Sequence, residues 1–206
     1  MGTRIIFVRH GETVWNQEQR YQGQADSPLS DLGMVQAEQV GRYLSRGKVD
    51  AVYTSDLRRA LLTAQQIAKY HGLEPIADQR LREMSFGIWE GLTRKEVQEK
   101  YPDLFYARFQ DNLTNRVPGG ELPGEVVQRM HSFLEERIQE HDGQTIVLVS
   151  HGGTLRTIIS SLLHMPLEKS YCLQQSNAGV SEFLYNRQGS SCPWQAVTIN
   201  STAHLS

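Results

Sequence analysis

Two histidines of this 206-residue chain occur in the same local context. His10 follows an apolar run at residues 4–8, His151 lies just beyond a second run at residues 145–149, and a glycine comes directly after each histidine. Each run predicts a buried strand, so each side chain would face a crevice at a strand end, where glycine lets a ligand approach the backbone. A structural role explains one such histidine equally well, but the repetition favours chemistry at a shared site.

Side chains that donate hydrogen bonds are dense around the same positions. Arg9 precedes His10, and Asn16 follows six residues later. The pair Arg58 and Arg59 begins a predicted helix behind another strand end. The planar fork of arginine matches phosphate oxygens, and a helix N-terminus adds a favourable dipole, so these residues predict a phosphate ligand. One of the two adjacent arginines would lie on a solvated helix face, and periodicity does not show which.

A phosphate held among arginines permits a particular chemistry. A histidine surrounded by positive charge stays neutral near neutral pH, because that charge disfavours the imidazolium, and a neutral imidazole is a competent nucleophile. Departure of an alcohol from a phosphate ester also needs a proton donor, and a nearby carboxylic acid can serve. The candidates are Glu12, Glu83 and Glu90. No paired helical histidines of the zinc hydrolase type occur, so we expect neither a metal nor a cofactor.

Alternating strands and helices must position these residues. Strands are predicted at residues 4–8, 50–54, 145–149, 180–185 and 195–199. Helices are predicted at about residues 30–47, 56–70, 93–100, 103–110, 125–140 and 154–163. We therefore expect an α/β fold with a doubly wound, mostly parallel sheet and helices on both faces. Ligands bind such sheets at the carboxyl edge, where His10, Ser55 and His151 would meet.

Composition argues against several classes of partner. Lysines and arginines number 21 against 23 aspartates and glutamates, a formal net charge of -2, which gives no basic field for nucleic acid or an anionic membrane. No apolar run approaches the roughly 18 residues of a membrane span, and the N-terminal residues lack the apolar stretch of a signal peptide. We expect a cytoplasmic protein of one domain, residues 1–206, with a small inserted cap that includes the Pro- and Gly-rich residues 112–124.

The sequence FVRHGETVWN at residues 7–16 resembles the histidine phosphatase superfamily, the group that includes the cofactor-dependent phosphoglycerate mutases and related phosphatases. Further resemblance follows in order along the chain: RYQGQADSPLSDLGMVQA at 20–37, YTSDLRRALLTA at 53–64, LREMSFGIWEG at 81–91, PGGE at 118–121 and VLVSHGGTLR at 147–156. The resemblance implies a phosphoglycerate mutase-like fold with a helical and loop cap inserted at about residues 86–124. It also implies a histidine acid-type phosphatase.

The same resemblance implies a role for each matching position. His10 would be the nucleophile that forms a phosphohistidine, and Glu83 the acid that protonates the leaving oxygen and then the base that activates water. The phosphoryl group would be bound by Arg9, Asn16, Gln22, Gly23, Arg59, His151 and Gly152. The family pattern selects Arg59 over Arg58 and leaves Glu90 a structural residue. The arginines and a His151 that is protonated in the phosphate complex would supply the positive charge, so no metal is needed.

Two rival functions remain beside hydrolysis. Family mutases resemble one another in a His-Tyr-Gly and Leu-Gln-Gly-Leu-Asn type of stretch and a longer insert, whereas residues 86–91 here read FGIWEG and the insert is compact. This difference favours a phosphatase over a phosphoglycerate mutase. A non-catalytic module that binds a phosphorylated ligand is the second rival, although every expected catalytic position is filled. A homodimer is expected from the resemblance only.

The substrate is less defined than the reaction. The chain resembles bacterial α-ribazole phosphatases, phosphoserine phosphatases and broad-specificity phosphatases, which these motifs do not separate. Leu122 stands where many relatives have a serine, which suggests a more apolar pocket wall. Six aromatic residues of the predicted cap could stack on a leaving group or pack the cap against the sheet: Phe86, Trp89, Tyr101, Phe105, Tyr106 and Phe109. A hydrophobic or aromatic leaving alcohol is the resulting hypothesis.

Overall fold

A computed structural model describes residues 2–186 and 192–206. The described strands are β1 (Thr3–Arg9), β2 (Ala51–Thr54), β3 (Ile76–Ala77), β4 (Thr145–Ser150), β5 (Val180–Tyr185) and β6 (Trp194–Ser201). They form one sheet in the order β3-β2-β4-β1-β5-β6. The first four strands pair in parallel, whereas β5 and β6 are antiparallel to their neighbours. The expected mostly parallel α/β sheet is confirmed.

The helices connect the strands on both faces of this sheet. Their bounds are α1 (Val14–Gln17), α2 (Asp31–Leu44), α3 (Arg58–Ala68), α4 (Arg94–Lys100), α5 (Pro102–Gln110), α6 (Pro123–Glu140) and α7 (Gly152–Leu162). Two helices begin with a proline, one or two residues before the predicted start, because proline lacks an N–H and suits the first helical turn. Within residues 2–186 and 192–206, no helix combines the length and the apolar character needed to cross a membrane.

Alternating side chains of the central strands build two cores. Ile5 and Phe7 of β1 face the cluster that contains α6 and α7, whereas Ile6 and Val8 face the cluster that contains α2 and α3. All four side chains are buried. Because successive side chains of a strand point to opposite faces, a strand covered on both faces reads as a continuous apolar run. This is why β1 and β4 could be predicted from the sequence.

Residues 86–124, the predicted cap insert, carry α4, α5 and a third apolar cluster. Trp89, Val97, Phe105 and Val117 form the buried centre of this cluster, which is separate from the two clusters on the sheet faces. Residues 111–122 join α5 to α6 mainly through turns, as the Pro- and Gly-rich sequence predicts. The side chains of the cap therefore pack on one another.

Candidate active site

The parallel pairing of β1 with β4 sets two histidines side by side. Arg9 pairs with Ser150 in the strand register, so His10 and His151 leave adjacent strands at the same level. The His10 N–H donates to the Ser150 carbonyl oxygen (3.0 Å), and the two imidazole ring centroids lie 5.0 Å apart. Both histidines are buried. The carboxyl edge of the sheet thus brings together the two residues that the sequence singled out.

The surroundings of His10 favour a neutral imidazole. Its Nδ1 donates to the Gly11 carbonyl oxygen over 2.7 Å. Because a carbonyl oxygen can only accept, the ring proton lies on Nδ1 and Nε2 keeps its lone pair. Burial lowers the pKa of His10 well below its usual value, and the charges of Arg59 and Arg9 lower this pKa further. The neutral histidine among cations, as expected from the sequence, is the form that these surroundings favour.

His151 has the opposite tautomer. Nε of Arg59 donates to Nδ1 of His151 over 3.2 Å, so the ring proton lies on Nε2. Burial, and then the charge of Arg59, lowers the pKa of His151 well below its usual value. These surroundings favour a neutral ring in the absence of a ligand, and protonation of His151 in the phosphate complex stays a prediction. Its Nε2 is buried without a hydrogen-bond partner in the described part of the chain, and the N–H there can donate to a phosphoryl oxygen.

Arg59 is the buried member of the arginine pair at the start of α3. Its Nη1 donates to the Ala25 carbonyl oxygen and its Nη2 to the Gly23 carbonyl oxygen, each over 2.7 Å. Arg59 is only 1% exposed, whereas Arg58 is exposed. The structure therefore places Arg59 at the site, where it joins His151 to the turn around Gly23.

Gly23 occupies a position that requires glycine. Its φ is +53°, and a Cβ there would lie 2.0 Å from Oε1 of Glu90. Glu90 accepts hydrogen bonds from the backbone N–H groups of Gln24 (3.1 Å), Ala25 (3.0 Å) and Phe86 (3.0 Å). This carboxylate ties the Gly23 turn to the base of the cap, which is the structural role predicted for Glu90.

Arg9 and Asn16 present further donors. Burial lowers the pKa of Arg9 to about 10, its Nη1 donates to a backbone carbonyl oxygen (2.7 Å), and its Nε is buried without a partner in residues 2–186 and 192–206. Oδ1 of Asn16 accepts from the Thr13 N–H and from Nδ2 of Asn177, each over 3.1 Å. The amide nitrogen of Asn16 is then the group that it can offer to a ligand. Sequence reasoning assigned no role to Asn177.

Glu83 lies at the N-terminus of α7. Its Oε2 accepts from the Gly153 N–H (3.0 Å) and its Oε1 from the Thr154 N–H (2.8 Å). Glu83 lines the large cavity of the protein, whereas Glu12 and Glu90 do not. Glu12 instead accepts a hydrogen bond from the N-cap residue of α2. Geometry thus selects Glu83 among the three carboxyl groups that residue types alone left open.

These side chains surround a cavity of about 850 Å³. The predicted site residues on its wall are Arg9, His10, Asn16, Gln22, Gly23, Arg59, Glu83 and Gly152. His151 contacts two of them, His10 and Arg59, without lining the wall itself. Among the described residues, no group of three or more histidines, cysteines, aspartates or glutamates is placed to hold a metal ion. Three further wall residues, Arg108, Arg156 and Tyr171, were not singled out from the sequence.

The six cap aromatics fill both of the roles considered for them, and Phe86 and Trp89 combine the two, because they line the cavity and also pack in or against the cap cluster. Phe86, Trp89 and Phe109 line the cavity. The others lie in or against the cap cluster: Tyr101, Phe105 and Tyr106. The suggestion that Leu122 makes the wall more apolar is wrong, because the next residue, Pro123, reaches the cavity and Leu122 does not.

Three comparisons place the chain among known proteins. The model of the histidine phosphatase superfamily, branch 1, matches residues 5–201. The chain is similar to phosphoserine phosphatase 1 of Hydrogenobacter thermophilus, with 39% identity over 178 residues, 86% of this chain and 84% of the relative. It is also similar to the probable phosphoglycerate mutase GpmB of Cronobacter sakazakii, with 36% identity over 193 residues, 94% of this chain and 88% of the relative. The structure of the α-ribazole phosphatase from Shigella flexneri aligns with a TM-score of 0.85 and 28% identity over 96% of both chains.

Proposed function

The chain belongs to the histidine phosphatase superfamily, branch 1, and from this premise we propose that it is a metal-independent phosphomonoester hydrolase of the histidine acid type. Its substrate would be a small phosphorylated metabolite. The observation that carries the proposal is the state of His10, a buried neutral imidazole whose Nδ1 proton is held by Gly11 and whose pKa is lowered by burial and two arginines. Nε2 of this ring is free to attack phosphorus.

In the first step, Nε2 of His10 bonds to phosphorus while the ester P–O bond breaks. Glu83, in its protonated form, gives its proton to the oxygen of the departing alcohol. The Glu83 side chain is then a carboxylate. The phosphoryl oxygens are stabilised by donors fixed before the reaction: Nε of Arg9, the guanidinium of Arg59 and Nε2–H of His151. These cations and dipoles supply the positive charge, which is the reason that no metal is required.

In the second step, the Glu83 carboxylate takes a proton from water as the water oxygen attacks phosphorus. The P–N bond to His10 breaks, and phosphate leaves with the original protonation of both residues restored. The backbone N–H groups of Gly153 and Thr154 hold the carboxyl group in one orientation for both steps. Covalent transfer divides one difficult displacement into two easier ones.

We also propose a domain organisation, a location and an oligomeric state for the protein. The chain would form one domain, residues 1–206, with residues 86–124 as a cap over the cavity. A cytoplasmic location suits a substrate that is a charged metabolite, and a homodimer follows from the resemblance. Light scattering of the purified protein tests the homodimer directly. Phosphoserine and α-ribazole 5′-phosphate, which are named in the descriptions of two similar proteins, are the first candidates.

A phosphoglycerate mutase is the second candidate function. The similarity to the probable mutase extends over 94% of this chain, so this candidate does not depend on a short motif. A mutase would return the phosphoryl group of His10 to a phosphoglycerate instead of to water. The two functions are therefore distinguished by the fate of the phosphate, with free phosphate as the product of the hydrolase and an isomeric phosphoglycerate as the product of the mutase.

The test is phosphate release with a chelator present throughout. The panel contains phosphoserine, α-ribazole 5′-phosphate, 3-phosphoglycerate, sugar phosphates and an aryl phosphate. We expect His10→Ala to abolish release while circular dichroism shows an intact fold, and His164→Asn, at an exposed position, to retain the wild-type rate. We expect the chelator to leave the rate unchanged, and a loss that a divalent ion restores would refute metal independence. Isomerisation without release would support the mutase, and binding without turnover would support the non-catalytic module.

A further inference from the structure

Beside Arg9, two further arginines on the cavity wall lack an acidic partner among the described residues. Among the described residues, no carboxylate oxygen lies within 4.0 Å of a side-chain nitrogen of Arg108 or Arg156, although most other arginines of the chain form such pairs. A buried or half-buried cation is costly unless an anion or good acceptors accompany it. These two positions therefore suit an anionic group of a ligand.

Arg108 is the more buried of the two, with 6% exposure. Its Nη1 donates to the backbone carbonyl oxygens of Asn112 and Asn115, and its Nη2 reaches the sulfur of Met84 at 3.7 Å. A thioether is a weak acceptor, so the Nη2 donors are poorly satisfied by the protein. Burial accordingly lowers the pKa of Arg108.

Arg156 lies on α7, one helical turn after Gly152. Its Nε donates to the Gly152 carbonyl oxygen (3.2 Å), and its guanidinium carbon lies 5.1 Å from the centre of the Tyr171 ring. It lines the same cavity as Arg9. The fork of Arg156 thus lies on the cavity wall with an aromatic ring on one face.

Both arginines contact residues next to Glu83 or next to its hydrogen-bond partners. Arg108 contacts Met84, the residue that follows Glu83 in the chain. Arg156 contacts Gly152, which precedes the N–H group that holds the Glu83 carboxylate. Under the proposed function, the oxygen that Glu83 protonates is the oxygen of the leaving alcohol. A substituent on that alcohol would therefore lie close to both guanidinium groups.

Two acidic residues on the same wall do not neutralise this pair. Asp111 accepts hydrogen bonds from the Leu113 N–H (2.8 Å) and the Thr114 hydroxyl (2.5 Å) of its own turn, and its charge raises the pKa of Arg108 by less than burial lowers it. Glu168 is exposed to solvent. Neither carboxylate therefore forms an ion pair with Arg108 or Arg156.

We propose that Arg108 and Arg156 form a second anion site, which selects phosphate esters whose leaving alcohol carries an anionic group of its own, either a carboxylate or a second phosphate. This inference rests on the proposed function and narrows its substrate class. Charge-assisted hydrogen bonds from arginine bind both kinds of group. The apolar wall formed by Phe86, Trp89 and Phe109 would contact the carbon skeleton between the two anions.

Matched substrate pairs test this site. Phosphoserine against phosphoethanolamine, and 3-phosphoglycerate against glycerol 3-phosphate, differ by one carboxylate. Fructose 1,6-bisphosphate against fructose 6-phosphate differs by one phosphate, and phenyl phosphate lacks a second anion. We expect kcat/KM of the wild type to be about tenfold to a hundredfold higher for the member that carries a second anionic group, in the carboxylate pairs, in the bisphosphate pair, or in both. The kind of pair that shows this preference identifies the group that is selected.

Variants assign the preference to the two arginines. Arg156→Gln and Arg108→Gln should each reduce it by about tenfold, with the rate on phenyl phosphate within about twofold of the wild type. Arg108→Lys serves if Arg108→Gln fails to fold, because Arg108 also binds two backbone carbonyl oxygens. Arg42→Gln, on the exposed face of α2, makes the same change in net charge and should alter nothing.

Three outcomes would overturn the inference. Equal kcat/KM within every pair would show that no second anion is selected. An equal loss on all esters in Arg156→Gln, phenyl phosphate included, would place Arg156 in the phosphoryl site instead. Absence of phosphate release from every ester, phenyl phosphate included, would refute the proposed function itself, and this result differs from an active enzyme without preference.

Discussion

Replacement of Glu83 by glutamine separates the two steps of the proposed reaction. The carboxyl oxygens of Glu83 accept hydrogen bonds from the backbone N–H groups of Met84, Gly153 and Thr154. Glutamine keeps the shape of the side chain but has one acceptor oxygen. That oxygen would take the place of Oε1, which accepts two of these bonds, and the amide NH₂ would then face the Gly153 N–H.

Each effect has an expected magnitude. Loss of the acceptor at one buried N–H should lower the unfolding free energy by about 1–3 kcal/mol. Loss of the acid should lower kcat on an alkyl phosphate by about 10²–10⁴-fold, or about 2.7–5.5 kcal/mol of transition-state stabilisation. An aryl phosphate needs little protonation in the first step, because its phenolate is a good leaving group. Hydrolysis of the phosphohistidine still needs the base and should slow by the full factor.

The assay is rapid mixing of Glu83→Gln with p-nitrophenyl phosphate. We expect a burst of p-nitrophenol about equal to the enzyme concentration, then slow turnover, with the phosphorylated protein visible by mass spectrometry near neutral pH. Glu135→Gln, at an exposed position, is the control, and its time course should match that of the wild type. An unchanged kcat on alkyl phosphates would remove Glu83 from proton transfer, and equal losses on alkyl and aryl substrates without a phosphorylated protein would refute the division into two steps.

Gly23→Ala should lower the unfolding free energy by about 1–3 kcal/mol, because a Cβ at a φ of +53° would lie 2.0 Å from Oε1 of Glu90; an unchanged denaturant midpoint would contradict this. Burial and nearby cations lower the pKa of His10 and of His151 in the folded protein, whereas in the unfolded chain each is about 6.5. Below about pH 6.5 only the unfolded chain takes up these protons. The unfolding free energy should therefore decrease as the pH is lowered, by up to about 1.4 kcal/mol per pH unit for each histidine. Thermal unfolding across this range measures the slope, which His151→Gln should reduce; equal slopes would exclude His151 as its source.

Local patterns predicted the sheet and the histidines because both are local properties. β1 and β4 are covered on both faces, so each is an uninterrupted apolar run that ends at a chemically distinct residue. The two-residue β3 carries no such pattern, since both of its residues are exposed, and it was missed. The four-residue α1 was missed as well, because a single turn has no helical periodicity.

Features that depend on contacts between distant segments were out of reach. The tautomer of His151 is set by Arg59, which is 92 residues away in the chain. Asn177 meets Asn16 across 161 residues, and no pattern marks it. Arg156 did have a signal, because it follows Gly152 by one helical turn within the VLVSHGGTLR motif. Arg108 had none, since its position depends on how the cap folds.

The separate apolar cluster of the cap has a consequence for how this protein could change over generations. Trp89, Val97, Phe105 and Val117 pack with one another and share none of their buried members with the clusters on the sheet faces, although Phe86 packs against both this cluster and the one that contains α6 and α7. We therefore expect substitutions that reshape the cap to alter which alcohol is released without displacing His10, the proposed nucleophile, which directly follows β1. Random mutagenesis confined to residues 92–117 should yield altered substrate preference with retained aryl phosphatase activity more often than the same mutation load in α6 and α7.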